Sequence, residues 1–102
     1  MATAEDVQRA VAAAFPAAER PAALAALKGY RARREPDRVR LAILALADGE
    51  LAEVQRLLGA ANEDYRDVLY WAEYPEESGT GTKRQMAARY RRLGVPVPPD
   101  LK

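Results

Sequence analysis

Apolar residues recur every three or four positions along most of this chain, in short runs separated by proline, glycine and charge. Val7, Ala10, Val11, Ala14 and Phe15 make the first run. Thr3 stands before it with Asp6 three residues on, a weak capping box, and Pro16 stops it. Pro21 suits the first position of a second helix, which needs no N–H there. Leu24 and Leu27 form its apolar side, and Gly29 suits a left-handed exit. After the basic connector "RARREP", Pro36 opens a third helix. Val39, Ala42, Ile43 and Leu46 mark one of its faces, and Leu41, Leu44 and Ala45 another. A helix apolar on two sides belongs at the centre of a bundle.

"ADGE", with Asp48 and Gly49, ends that helix and starts a fourth through Leu51, Val54, Leu57, Leu58 and Ala61. So short a connection predicts an antiparallel helix pair. Asp64 caps a fifth helix, with Asp67 in its first turn, and Pro75 ends it. "EESGTGT" reads as a flexible loop. Thr82 and Gln85 make a capping box for a last helix, Lys83 to Leu93, whose stripe is Met86, Tyr90 and Leu93. Gly94 suits its exit, and "VPVPPDLK" leaves as an extended Pro-rich tail.

The expected fold is therefore all-α: a compact bundle of five or six short helices, with orthogonal or solenoid-like packing. It forms one helical domain over residues 1–94, with residues 95–102 as tail. Helices three and five should form the centre. The predicted core is Val11, Phe15, Leu24, Leu27, Val39, Ile43, Leu46, Leu51, Val54, Leu58, Val68, Leu69 and Tyr90.

Composition supports helices and removes much chemistry. Of the 102 residues, one is isoleucine, three are threonine and seven are valine, too few β-branched residues for a sheet. There is neither cysteine nor histidine. Disulfides, thiolate chemistry, the commonest general base and the commonest metal ligand are thus absent. No metal site and no cofactor are expected. The longest strongly apolar run, "LAILALA", is far short of the ~20 residues of a membrane span, and the first residues lack a signal-peptide layout. A cytoplasmic protein with no membrane partner is expected. The Ala- and Arg-rich usage suggests a bacterial source.

The charges are segregated. Residues 28–40 carry six cations against two acids, residues 48–77 nine acids against two cations, and residues 83–102 six cations against one acid. Such blocks can serve a charged partner or tie helices of one bundle together.

The segment "DYRDVLYWAEYPEE", Asp64 to Glu77, holds the single tryptophan and three of the five tyrosines. It resembles a segment that marks a family of small bacterial helical proteins of about 100 residues, whose pattern is "DYRDVLxWAEYP". That family has no assigned activity, so the resemblance implies an intact helical domain and no catalytic residues. At helical spacing Tyr65, Val68, Leu69 and Ala72 share one face, while Tyr70, Trp71 and Tyr74 fall on the flank and back with Asp67. If the last helix covers that second side, the three rings are buried with polar tips at the boundary, the usual fate of large aromatics. If it does not, they form a binding patch.

Three functions follow. The leading one is a non-enzymatic protein–protein interaction module using Asp67, Tyr70, Trp71, Tyr74 and Glu77, with a foreign protein or a second copy of the chain as partner. The next is a nucleic-acid accessory protein using a basic patch of Arg84, Arg89, Arg91 and Arg92 on the last helix. The third is a small hydrolase or lyase with paired carboxylates from Glu63, Asp67, Glu73, Glu76 and Glu77, which as a solvated acidic face would do no chemistry. "SGTGTK" precedes a helix as a phosphate loop does, but it lacks the P-loop spacing and a preceding strand.

Overall fold

The structure, a computed structural model, describes residues 2–102. Seven α-helices occupy the described residues: α1 (Ala4–Ala14), α2 (Arg20–Lys28), α3 (Pro36–Ala47), α4 (Leu51–Glu63), α5 (Tyr65–Glu73), α6 (Pro75–Ser78) and α7 (Lys83–Arg92). A 3₁₀ turn, Pro99–Leu101, follows, and the described residues contain no strand.

The local signals act as their chemistry requires. The Thr3 hydroxyl accepts from the Asp6 amide and the Asp6 carboxylate accepts from the Thr3 amide, each at 3.1 Å. Thr82 and Gln85 repeat the reciprocal cap on α7, at 3.0 Å each. Asp64 accepts the Arg66 amide at the start of α5. Gly94, at φ +73°, lets the backbone turn left-handed after α7, as only glycine does without cost.

Gly29 works differently from the expected left-handed exit. Its φ is −72°, which any residue adopts. A Cβ there would lie 3.1 Å from the Leu58 side chain and from the Ala26 carbonyl. Glycine therefore serves the close approach of α2 to α4. The connector after it is pinned: Asn62 accepts from the Arg31 amide at 2.8 Å and donates to the Gly29 carbonyl at 3.0 Å.

α3 is the hub. It buries Val39, Leu41 to Ala45 and Ala47, and it packs against α1, α4, α5 and α7. Those contacts reach well beyond chain neighbours, and the molecule measures 33 × 27 × 24 Å. The packing is a globule about one central helix, not a solenoid. Of the predicted core, Val11, Phe15, Leu27, Val39, Ile43, Val54, Val68 and Tyr90 are buried. Leu24, Leu46, Leu51, Leu58 and Leu69 are half-buried and pack around it. Tyr30, Leu41, Leu44, Leu57, Met86, Val95 and Leu101 complete the core.

Two segments depart from the sequence reading. "EESGTGT" is tightly held, not a flexible loop. Pro75 both ends α5 and starts the one-turn α6, and the Thr80 hydroxyl donates to the Trp71 carbonyl at 2.6 Å. The Ser78 hydroxyl donates to the Tyr74 carbonyl at 2.9 Å. Residues 95–102 do not leave the domain either. Val95 and Leu101 are buried, and the 3₁₀ turn packs on α7. The apolar residues alternating with the prolines find unclaimed core surface, which an extended tail would leave in water.

Candidate functional site

The second face of α5 carries the first candidate. α7 reaches α5 but covers it only partly. Trp71 is half-buried against the core. Tyr70 and Tyr74 stay 43% and 37% exposed, the two large exposed hydrophobic side chains among the described residues. The expected burial of all three rings under the last helix therefore fails at two of them. Tyr70 and Tyr74 lie one helical turn apart and stack, with centroids 6.0 Å apart and planes 29° apart. The Tyr74 hydroxyl donates to Asp100 of the tail at 3.0 Å. That bond, and after it the nearby charges of Asp100, Glu73 and Glu77, raise the Tyr74 phenol above its ordinary value. Asp67 and Glu77 are exposed. The ridge is thus aromatic along its crest and acidic at its edges.

Beside it lies a groove of about 790 Å³. The start of α3 forms one wall, and Pro96 to Pro99 of the tail form another. Its lining includes Arg38, Glu73 and Tyr90. Glu73, only 2% exposed, closes the core stripe of α5. Arg38 clasps it with two nitrogens, Nε donating to one carboxylate oxygen at 2.8 Å and Nη2 to the other. This bidentate bond to Glu73, against the cost of burial, raises the Arg38 pKa well above its usual range. Tyr90, also 2% exposed, feels the same pair. Burial, and after it the Glu73 charge, push its phenol far above its ordinary value, with Arg38 pulling partly back.

The burial of Glu73, though not its partner, could have been suspected from spacing alone. Glu73 falls four residues after Leu69 and five after Val68, at the edge of the apolar stripe, where a solvated acid does not belong. Of the acids Glu63, Asp67, Glu73, Glu76 and Glu77, only Glu73 lines the groove. Glu76 instead accepts the first amide of α7, from Lys83, at 3.1 Å. Among the described residues no three Asp or Glu side chains converge as metal ligands would.

The four arginines of the basic patch do not form one free surface. Arg89 donates to the Ala45 and Leu46 carbonyls at 3.2 and 3.4 Å, and so covers the C-terminal end of α3, where a cation suits the helix dipole. Arg92 pairs with Asp48 at 3.3 Å. Arg84 and Arg91, one heptad apart and so on one face of the helix, remain exposed together. Segregated charge is thus partly consumed inside the fold: Arg38 with Glu73, and Arg89 and Arg92 with Asp48, each join separate blocks.

Among the described residues no helix is long and apolar enough to cross a membrane. Comparison of the chain with known protein families, with curated proteins and with solved structures finds no match.

Proposed function

We propose that this chain is a non-enzymatic protein-interaction module that docks a basic segment of a partner protein on the Tyr70–Tyr74 ridge. One observation carries the reading: two stacked tyrosines held at the surface between acidic side chains. Exposed aromatic pairs are expensive to leave in water and are enriched where interfaces concentrate their energy. Their faces attract guanidinium and ammonium groups, and Asp67, Glu77 and Asp100 supply complementary charge. The surface is preorganised, because Thr80 and Asp100 hold the end of α5 by hydrogen bonds.

The test uses wild-type protein and a Tyr70→Ser/Tyr74→Ser variant as parallel baits in the native cytosol, followed by cross-link mapping of the captured chain. A partner retained only by the wild type, contacting through a Lys/Arg-rich segment and released by moderate salt, is the expected result. Equal retention by both baits removes the ridge as the site. A dimer abolished by the variant assigns it to a second copy instead.

A further inference from the structure

The groove walled by α3 and the tail has features the interaction reading does not use. Its volume, about 790 Å³, lies within the ~300–1,000 Å³ of small-molecule pockets. Leu41, Pro96, Val97, Pro98 and Pro99 give it an apolar lining. Tyr90 is among the lining residues, and its hydroxyl makes no hydrogen bond with any described residue although the residue is only 2% exposed. Among the described residues no buried side-chain polar atom lacks a partner. The Tyr90 hydroxyl is therefore not sealed off from solvent, and Tyr90 is one of the residues that line this groove.

The charge of the lining selects the ligand. Four carboxylates, Glu35, Asp37, Glu73 and Asp100, face two cations, Arg38 and Lys102. Arg38 is already committed to Glu73 and, at 3.4 Å, to Glu35. An incoming anion would find three of that guanidinium's five N–H donors already engaged and would meet the other acids uncompensated. A cation meets surplus negative charge in a partly desolvated space, where it counts for more than at the open surface. The Tyr90 oxygen and the free lone pairs of the Glu73 carboxylate can accept from an ammonium group. The positive end of the α3 dipole is met by Asp37 in its first turn.

We propose that this groove binds a compact organic cation, an ammonium group carried on a short apolar body, with the Tyr90 hydroxyl and the surrounding carboxylates receiving the charge. The groove and the Tyr70–Tyr74 ridge share Asp100, which accepts the Tyr74 hydroxyl and also lines the groove, so Tyr90→Phe and Tyr70→Ser, each confined to one site, tell the two apart.

Three adamantane derivatives differing only in the polar group test it: 1-aminoadamantane, 1-adamantanol and 1-adamantanecarboxylate, titrated into the ¹⁵N-labelled chain at neutral pH. Saturable shifts centred on residues 35–41, 73, 90 and 96–101 are expected with the amine, at least about tenfold tighter than with the carboxylate. Tyr90→Phe keeps the ring and removes one hydrogen bond, so amine binding should weaken about three- to tenfold. Asp100→Asn, at an exposed position, should weaken it and flatten its salt dependence. Tyr70→Ser should leave the titration unchanged. The site is overturned by equal or tighter binding of the alcohol or carboxylate, by shifts centred elsewhere, or by no saturation up to about 10 mM amine. It is equally overturned if neither Tyr90→Phe nor Asp100→Asn alters the amine's affinity.

Discussion

Arg38 and Glu73 are the residues whose roles most depend on each other. Glu73 is almost wholly buried, whereas the Arg38 side chain is 44% exposed. Removing one partner of a buried pair costs most when it strands the other's charge out of water. The two deletions should therefore be unequal. Arg38→Ala leaves a buried carboxylate uncompensated and should cost roughly 3 kcal/mol, the low end for a broken buried pair because water reaches the site from the Arg38 side. Glu73→Gln leaves a guanidinium able to hydrate, and should cost about half as much. Urea denaturation of both single variants and the double variant checks this. Equal losses would mean that the pair is solvated from both sides. In sequence, Glu73 looked like one more member of an acidic run. Only its phase relative to Val68 and Leu69 hinted at burial, and nothing in the chain named Arg38 as its partner.

The helices owe their limits to local chemistry and their stability to packing. α4 shows the difference, since Gly59 lies in its interior with open space around the position of a Cβ. Glycine in a helix interior costs roughly 0.5–1 kcal/mol relative to alanine, with no compensating close contact here. Gly59→Ala should raise stability by about that amount, read as a higher urea midpoint at constant slope. Gly29→Ala should do the reverse, because its Cβ would press on Leu58 and the Ala26 carbonyl at 3.1 Å. The two glycines look alike in sequence. Their difference lies in what another helix places beside them. Pro75 makes the same point. Its ring predicts the end of α5 from sequence alone, but the turn of α6 after it depends on Thr80 reaching back to the Trp71 carbonyl.

At the scale of the whole molecule, the absence of histidine leaves no side chain with an ordinary pKa between pH 5 and 8. Stability should be flat across that range. Asp6 is pushed up by burial, but its bonds to the Thr3 amide and Arg9 outweigh this and hold it below the usual carboxylate value. Glu53 beside Arg56 and Asp64 beside Arg66 are also held low. Near pH 4 the unfolded chain thus binds more protons than the folded one. The stabilisation these groups give is complete above their unfolded pKa values and is lost as pH falls through the lower folded ones. Burial raises the Tyr90 phenol, so the folded chain resists its ionisation. That contribution is complete below about pH 10 and is lost as pH rises further. Urea midpoints measured from pH 2 to 11 should show a plateau with two falling edges. The acid edge should be gradual, because Glu53 and Asp64 are solvent-accessible and only Asp6 of the three is buried. Tyr90→Phe should blunt the alkaline edge.

The sequence by itself determined the helical class, six of the seven helices, the caps on α1, α5 and α7, and the central place of α3. These depend on spacing within a turn or two, where neighbours in sequence are neighbours in space. The tertiary structure alone decided which rings of "DYRDVLYWAEYPEE" stay in water, because that depends on how far α7 extends over α5. It alone decided that the Pro-rich tail returns to cover the core and wall a groove, and that the basic last helix spends Arg89 and Arg92 at the end of α3. Each of these contacts joins residues far apart in the chain, and their pairing is set by which surfaces remain uncovered once the helices have packed.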